Sequence, residues 1–356
     1  MQHTPKVESD SIAEVNQVIN AYFERSIMAA AAIGESYEQL WVALYKLFRS
    51  GGKRIRPQLT ILSYEAFGGT DRSMIISIAS AQELLHQSLL VHDDIIDRDY
   101  VRYGVPNIAG QYDTKYSLFV DSKIERIHYA SSAALLGGDL LLSGAYQMIA
   151  SADASDSDKI IAQQLLGQSI FEVAGGELRD TELAFMPSAP GDALIVAQYK
   201  TASYSFVGPL LTGARLAGAN EDQQEKIKTF ATSLGIAYQL VDDLLGVFGN
   251  EEETGKSTSS DILEGKHTFM VEQCLQKLQG KELEIFKASF GNADATEATI
   301  VEVKELFVKS GAKAAAQQKI AEYTTIAREN LHKLTLNDQY MAQFEAFITK
   351  VTKRAS

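Results

Sequence analysis

Two acidic runs, Asp93-Asp94-Ile95-Ile96-Asp97 and Asp242-Asp243-Leu244-Leu245-Gly246, each lie in an apolar, helix-periodic stretch without proline. Residues four apart on a helix sit one above the other, so Asp93 and Asp97 project from one face. Carboxylates held that close repel unless a cation bridges them, and hard oxygen donors of this kind suit a shared divalent ion such as Mg²⁺. Followed backwards, the same stripe passes Leu90 and Leu89 to reach His86. The face therefore runs from carboxylate through an apolar strip to an imidazole. In the second run Asp242 shares its face with Tyr238, Gln239 and Gly235, and Gly246 stands where a third carboxylate is expected.

The basic residues complement this acid. Gly51-Gly52-Lys53-Arg54-Ile55-Arg56-Pro57 places three cations beside two glycines. Arginine grips phosphate oxygens bidentately, lysine supplies a compact charge, and glycine lets backbone amides approach, so the run suits a diphosphate. Arg102 follows the first acidic run, Lys200 stands beside Thr201, and Lys256 and Lys266 follow the second run. Gly255-Lys256-Ser257 is not a P-loop: that motif needs a glycine where this chain has Asn250, and Glu251 to Glu253 would repel a triphosphate.

The elements that must carry these residues are helices. Six prolines in 356 residues, 46% hydrophobic content and few alternating runs predict an all-α chain. We expect a mobile tail over residues 1–10 and a single large helical domain over 11–356. Ser11 with Glu14, and Ser36 with Gln39, have capping-box spacing. After Ser36 the residues Leu40, Trp41, Leu44, Leu47 and Phe48 keep the helical period until Gly51. Residues 153–158, 186–191 and 250–260 have the composition of loops.

A net charge of −13 excludes a general nucleic-acid binder, which needs a basic surface. The lone Cys274 forms no internal disulfide, and neither an N-terminal leader pattern nor 18 consecutive apolar residues appears, so we expect a cytoplasmic protein without a transmembrane segment.

Taken together these segments resemble the trans-isoprenyl diphosphate synthases, or polyprenyl synthetases, in register over residues 51–270. The matching pieces are Gly51 to Pro57, Glu83 to His86, His92-Asp93-Asp94, and Asp97 with Arg102, Gly104 and Pro106. Further on are Gly138-Asp139, Gly176 to Asp180, Lys200-Thr201-Ala202, Tyr238-Gln239 with Asp242-Asp243, Gly255-Lys256, and Asp261 to Lys266. The resemblance implies an all-α bundle around a central cavity, with acidic helices facing each other across its mouth, and a homodimer. It implies that Asp93, Asp97 and Asp242 hold Mg²⁺, three ions per active site. Arg102, Lys200, Thr201, Gln239, Lys256 and Lys266 would hold an allylic diphosphate, and Lys53, Arg56 and His86 isopentenyl diphosphate. The implied reaction is a head-to-tail, trans condensation of the two by ionisation, attack and elimination.

Departures from the family pattern bear on this. Tyr103 stands where a second arginine is usual, which predicts a weaker isopentenyl diphosphate site; Gly246 replaces the third aspartate, and Glu177 a frequent glutamine. The stretch between Pro106 and Gly138 is longer than in most relatives, an insertion around residues 108–130. The family's main chain-length gate is the fifth residue before the first aspartate, here Ser88, with Leu89 and Leu85 as neighbours. A small serine there predicts geranylgeranyl diphosphate or a longer product. A class I terpene cyclase and a non-catalytic subunit of a heteromeric synthase are the alternatives; the cyclase needs only one diphosphate site.

Overall fold

The structure is a computed structural model, and it describes residues 6–186, 189–249 and 258–352. The chain divides into two compact units, Met1–Leu166 and Gly167–Ser356. Each is built around its own long helix.

In the first unit that helix is α4 (Arg72–Ile96), packed by α1 (Lys6–Ala31), α3 (Ile55–Ala66), α5 (Ile108–Tyr116) and α6 (Lys123–Ala150), with α2 (Glu35–Arg49) on α1, α5 and α6. Asp71 starts α4 by accepting from the Met74 amide at 3.0 Å, satisfying one of the orphan donors of a helix N-terminus. Ile75, Ile78, Leu84, Leu85 and Val91 are buried almost completely, so α4 is apolar on most sides, as a core helix must be. Each such side chain stabilises the fold by about 1.5–3 kcal/mol. By length and apolarity α4 and α6 would suffice to cross a membrane, but 78% and 50% of their most apolar windows are buried inside the protein. Phe23 packs α1 onto α2 through a stacked contact with Tyr45 at 5.1 Å and an edge contact with Trp41 at 6.3 Å. The insertion forms α5 and the first turns of α6. Among the described residues the strands are β1 (Val101–Arg102) and β2 (Val105–Pro106), a two-stranded antiparallel hairpin after α4.

The second unit centres on α10 (Glu221–Phe248), which Asn220 and Gln223 start with a reciprocal capping box. Before it come the later part of α7 (Asp156–Leu183), the short α8 (Asp192–Val196), a π-helical segment (Ala197–Val207) and α9 (Gly208–Leu216). After it come α11 (Ser260–Glu264), α12 (Phe269–Lys277), α13 (Gly280–Ser289), α14 (Glu297–Lys309), α15 (Ala312–His332) and α16 (Asp338–Thr352). Ile236, Leu240, Val241, Leu244 and Val247 of α10 join Phe286, Phe307 and Cys274 in one apolar cluster.

Three expectations about helix starts are corrected. Backbone from Lys6 is already helical, so the expected tail through residue 10 is shorter, and residues 1–5 lie outside the described part. Ser11 and Glu14 do not cap: Arg72 donates to the Ser11 hydroxyl at 3.0 Å and to Glu14 at 2.9 Å, so a distant charge engages both. At α2 the N-cap is Gly34, and Gln39 donates to Glu35 at 2.8 Å instead of reaching back to the Ser36 backbone.

Candidate active site

The first acidic run ends α4. Asp93 and Asp97 present carboxylate oxygens within 4.8 Å of one another, the outcome that four-residue spacing on one helix face demands. That donor set, two hard oxygens on a rigid turn with open positions, fits a divalent cation such as Mg²⁺. Asp94 points inward and is 2% exposed. Arg102, carried on β1, donates from Nε to Asp94 at 2.7 Å and from Nη2 to Asp93 at 3.0 Å. Burial pushes the Asp94 carboxyl up to about 6 against the pull of Arg102, with Asp93 and Asp99 adding to the rise. For Arg102 burial works against the charge, but Asp94 and Asp93 outweigh it and raise its pKa. The cation expected to meet a diphosphate thus rests on the acidic run itself.

In the Gly51–Pro57 loop the three cations have different fates. Arg54 is buried, donating to Gly51 O, Phe48 O, Asn16 and Glu83, so it is structural. Lys53 is exposed and Arg56 half-buried, which leaves the loop's outward charge on the two residues singled out from the sequence. His86 is held well below its ordinary pKa by burial first, then by Arg56, Arg102 and Arg54. It is therefore a neutral imidazole able to donate and accept at once. The Tyr103 ring is packed against Gly51, and burial raises its phenol while Arg102 lowers it.

Of the chain-length candidates, Leu89 lies half-buried on the stripe shared with His86 and Asp93. Leu85 is fully buried. Ser88, the fifth residue before Asp93, is fully buried. Five residues turn a helix about 140° past alignment, and the Ser88 hydroxyl donates to Gly138 O of α6 at 2.8 Å with no exposure.

In the second unit Asp242 is exposed and Asp243 is 7% exposed. Thr201 donates to Gln239 at 2.6 Å, which fixes the amide so that its nitrogen donates to Asp243 at 2.7 Å. Burial pushes Asp243 up to about 7, although Lys266 and Gln239 pull it down; Asp261 and Asp242 add to the rise. Burial opposes the Lys266 charge, yet Asp243, Asp261 and Asp242 together raise its pKa.

Lys200 pairs with Glu177 at 2.9 Å and Asp180 at 2.6 Å, so the glutamate in place of a glutamine brings a second carboxylate to the lysine. The π segment can carry Lys200 this close because Gly176 of α7 has no side chain. A Cβ there would lie 2.2 Å from the Lys200 backbone nitrogen. Widened π turns of this kind concentrate at functional sites. At Gly246 a Cβ would lie 2.2 Å from an Asp261 oxygen, so a carboxylate from α11 occupies the ground beside the glycine. Lys256 lies outside the described residues.

Arg54, Asp94, Asp243 and Asp261 were missed as participants. The first three sit beside chosen residues in sequence, but burial marks them and burial is not local. Asp261 opens a run that had already been singled out, and its missed signal was the glycine at 246.

The sequence profile described as polyprenyl synthetase matches residues 38–307. A geranylgeranyl diphosphate synthase of Sulfolobus acidocaldarius is 32% identical over 304 residues, covering 85% of this chain and 83% of that protein. A geranylfarnesyl diphosphate synthase of Aeropyrum pernix is 29% identical, with 85% and 89% covered. Among solved structures, a Corynebacterium glutamicum geranylgeranyl pyrophosphate synthase, complexed with isoprenyl diphosphate and magnesium, superposes with a TM-score of 0.90. Its identity is 26%, over 99% of this chain and 100% of that one.

Proposed function

The chain belongs to the polyprenyl synthetase family and is a prenyltransferase acting on isoprenyl diphosphates; we propose that its product is geranylgeranyl diphosphate or longer and assign its residues as follows. Asp93, Asp97 and Asp242 would hold Mg²⁺, three ions per site, which would supply positive charge to the departing diphosphate. Lys200, Lys256, Lys266 and Arg102 bind the allylic diphosphate. Arg102 does so by exchanging its Asp93 contact for phosphate oxygens. Thr201 and Gln239 orient the acidic turn. Lys53, Arg56 and neutral His86 hold isopentenyl diphosphate, with Tyr103 weakening that subsite.

The allylic carbon–oxygen bond breaks, the isopentenyl double bond attacks the resulting carbocation, and a new carbon–carbon bond forms. Loss of one proton to the departing diphosphate restores the double bond and balances the step. Fixed cations stabilise that anion most when separation is complete, which is the condition for lowering the barrier. The apolar strip at Leu89 and Leu90 keeps water from the cation.

The observation that carries the reading is local. At one end of α4 the Asp93 and Asp97 oxygens lie within 4.8 Å of one another and Arg102 donates to Asp93 at 3.0 Å. A homodimer is part of the proposal, supported by exposed Leu135 and Leu136 on α6 and Phe171 and Leu178 on α7. So is a cytoplasmic location, supported by the free, buried Cys274. The cyclase and the non-catalytic subunit are not favoured, because the sequence relatives and structural neighbours are prenyl diphosphate synthases. The test is the purified protein alone with Mg²⁺, labelled isopentenyl diphosphate and allylic primers of several lengths. Elongated linear diphosphates are expected; cyclic hydrocarbon, or no turnover without a partner protein, overturns the reading.

A further inference from the structure

Arg54 spends its donors inside the protein although it lies between exposed Lys53 and half-buried Arg56. Its Nε donates to Asn16 of α1 at 3.0 Å, and its Nη2 to Phe48 O, in the last turn of α2, at 3.0 Å. Nη1 serves both Gly51 O at 2.9 Å and Glu83 of α4 at 3.0 Å. The guanidinium also lies 4.1 Å from the centre of the Phe48 ring, and the residue is 8% exposed. One planar fork therefore ties three helices to the loop, and lysine cannot copy it with a single ammonium. Phe48 O is one of the carbonyls that the end of α2 leaves without an intrahelical partner, so the same group caps that helix.

The backbone has been shaped around this side chain. Arg54 is the N-cap of α3 and adopts a left-handed conformation, φ 52° and ψ 39°, which residues with a Cβ rarely accept. Gly52 has φ 115°, and a Cβ there would come 2.3 Å from Arg54 Nη1. The second loop glycine makes room for arginine as well as for any ligand. Because Arg54 is the hinge into α3, its dihedral angles set the direction in which Arg56 leaves two residues later and Lys53 one residue earlier.

We infer that Arg54 is a positioning residue for the isopentenyl diphosphate subsite: anchored on Asn16, Phe48 and Glu83, it holds the turn into α3 that presents Lys53 and Arg56. This rests on the assignment of Lys53 and Arg56 to that substrate. Glu83 and Asn16 act through Arg54 in the same way, without touching substrate.

The test compares Arg54→Lys, Arg54→Gly and Asn16→Ala with wild type, measuring KM for isopentenyl diphosphate, KM for the allylic primer, kcat and thermal midpoint. Arg54→Gly relieves the left-handed strain yet loses the fork, so it separates backbone preference from anchoring. Misplacing a binding group by about 1 Å can cost about a hundredfold, so we expect KM for isopentenyl diphosphate to rise at least about tenfold in both Arg54 variants. KM for the primer stays within about twofold, and Asn16→Ala, which removes one anchor, shows a smaller rise with the same selectivity. Equal changes in both KM values, or a lowered midpoint with neither KM changed, overturn the inference. If neither Arg54 variant folds, the selectivity of Asn16→Ala decides it. Lys53→Ala and Arg56→Ala separate the two levels. Should they leave KM for isopentenyl diphosphate unchanged, the subsite assignment fails; should they raise it while the Arg54 and Asn16 variants do not, only the positioning role fails.

Discussion

Gly175 and Gly176 are neighbours on α7 with opposite surroundings, and they give a sharp test of how the π segment places Lys200. A Cβ at residue 175 meets nothing within 4 Å, whereas one at 176 lies 2.2 Å from Lys200 N and 2.6 Å from Tyr199 C. Those are backbone atoms, so no rotamer change relieves the overlap. Restoring ordinary contact at about 3.5 Å requires the π segment to retreat by about 1 Å. Overpacking costs about 1–3 kcal/mol, against roughly 1 kcal/mol gained by replacing glycine with alanine inside a helix. Gly176→Ala is therefore neutral to destabilising by about 2 kcal/mol, while Gly175→Ala is stabilising by up to about 1 kcal/mol. The functional effect is larger than the stability effect. A retreat of that size breaks the 2.6 Å Thr201–Gln239 bond and pulls Lys200 from its place, for which a loss of about a hundredfold in kcat/KM, near 2.7 kcal/mol, is expected. Steady-state kinetics with each substrate varied in turn, alongside thermal melts of both variants, provide the assay. Turnover of Gly176→Ala within about threefold of wild type, or equal losses in Gly175→Ala, would refute the argument that the glycine's missing Cβ places the lysine.

Other outcomes follow from the same geometry. Asp243 has a folded pKa near 7, above its ordinary value, so its contribution to stability is full in acid and is lost as pH rises through about 7. Denaturant unfolding in EDTA should show Asp243→Asn gaining on wild type between about pH 4 and 7, by at most about 4 kcal/mol; parallel profiles would contradict this. Gly246→Asp restores the expected third carboxylate but displaces Asp261, and it should lower the melting temperature by a few degrees, about 1–2 kcal/mol. The Gly246→Asp, Asp261→Ala double variant should recover that loss, and a double-mutant cycle with no coupling would count against the contact. Leu89→Phe should shorten the product, read by chromatography of the dephosphorylated chains. Ser88→Phe should shorten it too and, because its side chain is packed on α6, destabilise by about 1–3 kcal/mol. Asp97→Ala should raise the Mg²⁺ concentration for half-maximal rate by about tenfold or more, and chelation should abolish turnover of the wild type.

The all-α class and the principal helices were legible because helical periodicity is a short-range signal, repeated every few residues along α2, α4 and α10. The Asp93–Asp97 pair was legible for the same reason, and the closeness of its oxygens, within 4.8 Å, follows from helix geometry. Helix starts were less legible. Ser11 and Glu14 have the spacing of a cap, but Arg72, some sixty residues further on, claims both.

Reading the chain alone was enough to establish the chemistry, carboxylates for a hard cation beside cations for diphosphates, since residue type and near-neighbour spacing are written into it directly. Folding settled which members of each motif face outward. Arg54 and Arg102 are consumed by carboxylates, Asp94 and Asp243 are turned inward, Ser88 leans on α6, and Asp261 comes to lie beside Gly246. Each of those fates depends on a partner, or on burial by an element, distant in the sequence. Such pairings leave no periodic trace for the sequence to display.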